Sequence, residues 1–131
     1  MKPPVLLMFA MRGERAAKVR MIAMRLRVRV RPVAPSEYGL PIAQLLDAPG
    51  ASDAGGEALP EEMLLMARFP DGLAQAFLGA LRTSLRPGVT LKAVFTPTNA
   101  AWDARALFAE LKREREALSA GKSAHAKKSD S

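Results

Sequence analysis

The loop that follows the last strand-like run of this chain carries its most distinctive polar side chains. Thr96, Thr98, Asn99 and Trp102 lie between the apolar run 91–95 and the start of a helical pattern. Hydroxyl and amide groups at a helix N-terminus bind anions well, because free backbone N–H groups point outward there. We therefore expect this loop to bind a small ligand or an anion. The alternative is that Thr98 or Asn99 only caps the helix and Trp102 packs over the sheet.

Residue types that are typical of catalytic and metal sites are scarce. The chain has no Cys, which excludes disulfides and thiolate chemistry, and its single His is His125, in a polar tail. Glu61 and Glu62 are neighbours in a strand-like run, so their side chains should point to opposite faces and not act as a carboxylate pair. Ser36 has no evident base partner. The sequence therefore favours a protein that is not an enzyme and holds no metal and no cofactor.

Positive charge is concentrated near the start of the chain. The net charge of all 131 residues is +7, yet residues 1–35 alone contain nine Lys or Arg and one acidic residue, a net charge of +8. The arginine guanidinium suits phosphate oxygens, so this region is a candidate nucleic-acid interface. The alternative is a solvated basic face. The candidate residues lie on a predicted strand and on the helix before it: Arg27, Arg29 and Arg31, with Arg15, Lys18 and Arg25.

Strand-like and helix-like patterns alternate along the chain. The apolar runs 5–11 and 63–67 are typical of strands that are covered on both faces, and 91–95 is a further strand. The run 27–31 alternates Arg and Val, which predicts a partly solvated strand at a sheet edge. Asp71 is the predicted N-cap of one helix. The helical patterns occupy residues 13–26, 41–46, 71–81 and 107–111.

This alternation predicts an α/β fold with a small, four-stranded, mostly parallel sheet in the order 2-1-3-4 and helices on both faces. A ferredoxin-like split sheet, which leaves one face open, is the alternative. In a parallel sheet the loops after all the strands gather at one edge. Arg12 and Asp71, which follow the first and third strands, would then join the 96–102 loop in one ligand site.

We predict a single domain over residues 1–120, with a flexible Gly/Pro-rich loop at 47–60 and a disordered basic tail at 121–131. The two halves repeat the same order of elements, so an ancient duplication is a hypothesis. No apolar run reaches the length of a membrane span, and the apolar run near the start lacks a signal cleavage site. These features predict a soluble, cytoplasmic protein that does not bind membranes.

Three segments of the second half carry a family resemblance. They are Glu62-Met63-Leu64-Leu65 running into Phe69-Pro70-Asp71, Leu91-Lys92-Ala93-Val94-Phe95-Thr96-Pro97-Thr98-Asn99-x-x-Trp102, and Leu107-x-x-Glu110-Leu111-x-x-Glu114. In these segments the chain resembles the bacterial family catalogued as domain of unknown function 3783, mainly over residues 61–116. The resemblance implies a small bacterial, cytosolic protein. It brings no catalytic or ligand residues with it.

The function that these features favour is a non-catalytic binding or interaction module. Its basic first part would contact nucleic-acid phosphates. One alternative is a domain that binds a small ligand or an anion through the loop around Thr96–Trp102. The other is a module that associates with further copies of itself.

Overall fold

Four strands form one open sheet in the computed structural model, which describes residues 2–47 and 58–129, with side chains described up to residue 120. The strands are β1 (Val5–Phe9), β2 (Arg29–Val33), β3 (Met63–Ala67) and β4 (Leu91–Val94). Their order in the sheet is β2-β1-β3-β4, as the sequence predicts. The two apolar strands are central and completely buried, and the Arg-bearing strand β2 is at an edge.

Helices cover both faces of the sheet. They are α1 (Gly13–Arg25), α2 (Ile42–Asp47), α3 (Asp71–Ser84) and α4 (Ala104–Ser129). The buried side chains of α1 and α3 pack with Leu6 and Leu64 of the central strands. Those of α2 and α4 pack with Leu7 and Leu65, on the opposite face. Because both faces are covered, the molecule has three layers and is not the split sheet with one open face.

The sheet is mixed, and the prediction that it is mostly parallel is wrong. β1 pairs in parallel with β2, and β3 in parallel with β4, but the central pair β1–β3 is antiparallel. Val5 pairs with Ala67 and Phe9 with Met63. The sequence pattern missed this reversal because a strand that is apolar on both faces has the same composition in either direction.

The register relates the two halves of the sheet by an approximate two-fold rotation. Leu7 pairs with Leu65 at its centre, and each central strand pairs in parallel with the strand that follows its own helix. Met8 pairs with Pro32 and Met66 with Val94, so Pro32 and Val94 occupy equivalent positions on the two edge strands. This arrangement fits the duplication hypothesis.

The predicted loop and tail are only partly described by the structure. Most of the predicted flexible loop at 47–60 lies outside the described residues, which resume at 58. The helical backbone of α4 is described to Ser129. The domain boundary at residue 120 and the disordered tail at 121–131 stay predictions. Among the described residues, no helix is long and apolar enough to cross a membrane.

We expect Leu65→Ala to lower the free energy of unfolding by about 2–5 kcal/mol, because it opens a cavity at the centre of the β1–β3 pair. Met24→Ala is the control, since Met24 is 75% exposed on α1 and its change should stay within about 0.5 kcal/mol. Urea denaturation of both variants measures the difference. Equal midpoints for the two variants would show that this pair does not organise the core.

Candidate functional site

The antiparallel central pair places the strand ends of the two halves at opposite edges of the sheet. β1 and β2 end at the edge where β3 and β4 begin, because Phe9 pairs with Met63 and Val5 with Ala67. Arg12, which follows β1, therefore lies at the opposite edge from Asp71. The loops that follow β2 and β4 nevertheless meet, because the Ile42 amide donates to the Trp102 carbonyl at 2.8 Å. The predicted site that combines all of these residues does not form as one constellation.

Asp71 does not act as the predicted N-cap. The N-cap position of α3 is Pro70, which makes no side-chain cap, and Asp71 is the first helical residue. Its side chain is exposed and is not part of the cleft described below. Asp71 shares an edge of the sheet with the 96–102 loop, since both follow strands of the second half.

Asn99 organises the loop that follows β4. Its side chain is 93% buried, its Oδ1 accepts a hydrogen bond from the Thr96 amide (2.9 Å), and its Nδ2 donates to the Val94 carbonyl (3.0 Å). The Asn99 amide donates in turn to Thr96 Oγ1 (3.2 Å). Asn99 is therefore a structural residue whose side chain holds the loop against the end of β4.

The N-terminus of α4 is capped by Asp103, not by Thr98 or Asn99. Asp103 Oδ1 accepts a hydrogen bond from the Ala106 amide at 2.8 Å. A carboxylate at this position neutralises the positive end of the helix dipole. The helix start is thus occupied by the protein's own anion, which argues against anion binding there. Trp102 packs against the core and is partly buried, as the structural alternative expects.

A cleft of about 380 Å³ lies between the edge strand β4 and α4. The 96–102 loop closes one end of it. A second depression of about 200 Å³ continues along the same strand and helix, with Lys92, Leu111 and Glu114 shared by both. The lining of the larger part combines apolar and polar side chains: Lys92, Ala93, Val94, Thr96, Thr98, Asn99, Trp102, Leu107, Glu110, Leu111 and Glu114.

The outer edge of β4 carries free backbone groups. The Phe95 amide donates to the Met66 carbonyl, so in the alternating parallel ladder the N–H and C=O groups of Lys92 and Val94 point away from β3. The Val94 carbonyl is taken by Asn99. Among the described residues nothing pairs with the other three groups, which leaves β4 able to accept another strand.

The other sheet edge, at β2, contains a proline. In β2 the Arg29 amide donates to the Pro4 carbonyl, so Val30 and Pro32 direct their backbones outward. Proline has no N–H group to offer. Each edge therefore lacks one ladder partner: the Pro32 N–H at β2, and at β4 the Val94 carbonyl, which Asn99 uses. The edge at β4 differs in that a cleft of about 380 Å³ borders it.

Two acidic side chains of α4 border the cleft. Glu110 forms an ion pair with Arg113, whereas Glu114 is exposed and makes no ion pair among the described residues. Lys92 Nζ, on the strand side, donates to the Val89 carbonyl at 2.5 Å. Sequence reasoning did not assign these residues to a site. The only available signal was the four-residue spacing of Glu110 and Glu114, which places them on one side of a helix.

The wall formed by α4 is held by Glu61. Its carboxylate accepts hydrogen bonds from Lys112 Nζ (2.6 Å) and from two nitrogens of Arg115 (3.0 and 3.1 Å). These contacts, with Arg115 the larger influence, lower the pKa of Glu61 from its usual 4.5 to about 2. They tie α4 to the segment that enters β3, so they help to set the width of the cleft.

The predicted basic patch is divided between the two faces of the sheet. Arg29 and Arg31 pair with Val5 and Leu7, so their side chains lie on the α2 face, whereas α1 packs on the other face. Arg31 is bound to the buried carboxylate of Glu37 at 2.5 Å, and Arg29 Nη2 contacts the Leu46 carbonyl. Arg31 is therefore a structural residue, whereas Arg29 is exposed on the α2 face.

Arg15 and Arg27 also differ from the sequence expectation. Arg15 donates twice to Glu62 (2.7 and 2.8 Å) and once to the Pro87 carbonyl, and the Glu62 contact raises its pKa. Arg27 is not in β2. It has a φ of 60° and follows the end of α1, where the Val28 amide donates to Ala23 and the Arg27 amide to Met24. This is a Schellman-type helix end, which turns the chain before the strand begins.

The exposed basic residues that remain lie along α1 and just after it. Lys18, Arg20 and Arg25 are exposed on the helix, and Arg27 is exposed beyond its end. None of these four forms an ion pair with another described residue. Lys18 and Arg25, seven residues apart, lie on one side of α1, whereas Arg20 lies on another side of the helix.

Other sites have less to offer a ligand. Within the part of the chain that the structure describes, no group of three or more His, Cys, Asp or Glu side chains is placed to hold a metal ion. A depression of about 440 Å³ is lined by Arg15, Glu61 and Glu62, and these charges are already paired with one another or with α4. The β4–α4 cleft, with its free backbone groups, is the better candidate.

We expect the ion pairs of Glu61 to stabilise the fold above about pH 4.5 and to be lost as the pH falls toward 2. The pKa of Glu61 is lower in the folded protein than its usual 4.5, so protonation favours the unfolded chain within this window. Urea midpoints should fall less steeply with acid in Glu61→Gln than in the parent protein. Glu116→Gln, on the same helix, should behave like the parent. Identical acid profiles for Glu61→Gln and the parent would exclude this role.

Comparisons with known proteins bear on the second half of the chain. No curated protein and no solved structure matches the chain. A family model matches a segment of it that contains β3, α3, β4 and every residue that lines the cleft. Residues 62–118 match the model of the family described as Domain of unknown function (DUF3783), which agrees with the resemblance seen in the sequence.

Proposed function

We propose that this protein is a non-catalytic binding module whose ligand site is the cleft between β4 and α4. The observation that carries the proposal is the coincidence of a cleft of about 380 Å³ with free backbone donors and an acceptor on the strand that borders it. The family resemblance of residues 61–116 adds the proposal that the module acts in the bacterial cytoplasm.

The lining side chains support recognition of an uncharged or cationic group. Thr98 is exposed, and Trp102 presents part of its ring, while Asn99 is committed to the loop. Glu110 and Glu114 add negative charge, Lys92 adds one positive charge on the strand side, and Asp103 occupies the helix start. An anionic ligand would meet these carboxylates, so we propose the anion-binding alternative only in its broader form of small-ligand binding.

We expect ligands of the cleft to change the fluorescence of Trp102, the only Trp of the chain. The probes are a set of neutral and cationic fragments and short peptides, each also followed by amide chemical shifts. Ala93→Arg should abolish the response, because it places a long side chain in the cleft, whereas Ala17→Arg on exposed α1 should leave it unchanged. The proposal fails if no probe shifts the amides of residues 92–102, or if Ala93→Arg binds as well as Ala17→Arg.

A second candidate function is contact with nucleic-acid phosphates through α1. The observation in its favour is the group of exposed cations Lys18, Arg20, Arg25 and Arg27, which have no ion-pair partner among the described residues. Only Lys18 and Arg25 share one side of α1, and neither Tyr38 nor Trp102 lies on this helix. It therefore suits the phosphate backbone and offers no platform for stacking bases.

Fluorescence anisotropy with labelled RNA and duplex DNA tests this second candidate. Binding should weaken steeply with salt, with a slope of log K against log [salt] of about −0.9 for each duplex phosphate that is neutralised. Lys18→Glu combined with Arg25→Glu should reduce binding, whereas Arg82→Glu with Arg86→Glu makes the same charge change at exposed positions elsewhere. Equal losses in the two double variants would indicate a response to net charge alone.

A further inference from the structure

We propose that the cleft binds an extended, arginine-containing peptide segment of another protein, which adds to the free edge of β4 as a fifth strand. This inference rests on the proposed function and specifies its ligand class. The segment would pair its backbone with β4 and direct alternate side chains toward α4, as in other cases of strand addition.

The backbone of β4 supplies the first requirement. The Lys92 amide, the Lys92 carbonyl and the Val94 amide point away from the sheet and pair with no other described residue. They lie on alternate residues, which is the spacing with which a neighbouring strand pairs. A bound segment therefore gains three hydrogen bonds without rearranging β4. The fourth outward group, the Val94 carbonyl, is already used by Asn99.

The two halves of the fold differ at one position beside their outer helices. The first half has an arginine there, and the second half, which forms the cleft, has an alanine. Leu7 pairs with Arg31 and Leu65 with Ala93, so Arg31 and Ala93 are equivalent positions on the α2 and α4 faces. The Arg31 side chain is only 11% exposed and binds Glu37. Glu37 accepts the Ala34 amide just as Asn99 accepts the Thr96 amide.

In the second half, Ala93 and the neutral Asn99 replace this internal ion pair. The place that Arg31 fills in the first half stays open, and the nearby carboxylates belong to α4 instead. Glu114 lines both parts of the cleft and makes no ion pair among the described residues. An arginine of a bound segment would bring the missing cation to this wall.

Charge and edge chemistry argue against a second copy of this chain as the occupant. Pairing of β2 from one copy with β4 of another is impeded by Pro32, which lacks an N–H group. Pairing of two β4 strands brings both Lys92 side chains into one short interface. A basic segment from another protein avoids the first problem and complements Glu114.

The test uses the full chain and three capped hexapeptides. The first has the sequence Thr-Arg-Val-Arg-Val-Thr, the second has Glu in place of both Arg, and the third is the arginine peptide with alternate backbone amides N-methylated. We expect the arginine peptide to change Trp102 fluorescence and to protect the Lys92 and Val94 amides from hydrogen exchange. The Glu peptide should bind roughly tenfold more weakly or worse, because it places like charges together.

Matched variants test the contacts on the protein. Glu114→Gln should weaken binding of the arginine peptide roughly threefold, which corresponds to an exposed ion pair, and Glu116→Gln should leave it unchanged. Ala93→Arg should abolish binding. Equal affinities for the Glu114→Gln and Glu116→Gln variants, or equal affinities for the arginine and Glu peptides, would overturn the assignment of an arginine-containing segment.

The remaining outcomes separate this inference from the proposed function. If the N-methylated peptide binds as tightly as the unmodified one, strand addition is wrong although the cleft remains a binding site. If fragments shift the amide signals of the cleft but no peptide does, the peptide inference fails and the proposed ligand site remains. If neither fragments nor peptides shift these signals, both the peptide inference and the proposed ligand site fail. Protection of the Lys92 and Val94 amides at high protein concentration without peptide would assign this edge to a second copy and overturn the inference.

Discussion

The antiparallel contact between β1 and β3 is the constraint on which the rest of the molecule depends. Both strands are buried over all five residues, and their side chains alternate between the two cores. Leu7 and Leu65 face each other at the centre. Each strand brings its own crossover helix and parallel edge strand, so this single register determines the order of the sheet and which helices share a layer.

The same contact determines where ligand-binding groups can gather. In a parallel sheet all four strands end at one edge, whereas here β1 and β2 end at one edge and β3 and β4 at the other. Arg12 and Asp71 therefore belong to opposite ends, while the loops after β2 and β4 meet where the Ala104 amide donates to the Tyr38 carbonyl. The β4–α4 cleft is lined by residues of the second half alone.

The two halves share their backbone plan but differ in how their outer strands are completed. In the first half, Arg31 and Glu37 place a buried ion pair beside α2, and Pro32 leaves the strand edge without one N–H group. In the second half, Asn99 keeps the turn in place with neutral hydrogen bonds, Ala93 leaves space, and Val94 keeps its N–H group. One half is thus closed by its own side chains, and the other has room for a partner.

Local patterns in the sequence were sufficient to predict much of the fold. Apolar runs identified the buried strands, the Arg-Val alternation placed β2 at an edge, and the 91–102 segment indicated both the family resemblance and the loop that closes the cleft. These features depend on burial and on side-chain periodicity, which neighbouring residues express directly.

Strand direction and long-range pairing were decided only by the tertiary structure. The composition of β3 is the same whichever way it runs, so the antiparallel centre and the separation of Arg12 from Asp71 were not visible in the sequence. Likewise, Arg15 and Arg31 are ordinary basic residues in the chain, and they become structural only because folding brings Glu62 and Glu37 to them. The physical reason is that an ion pair or a strand pair joins residues whose proximity no local pattern records.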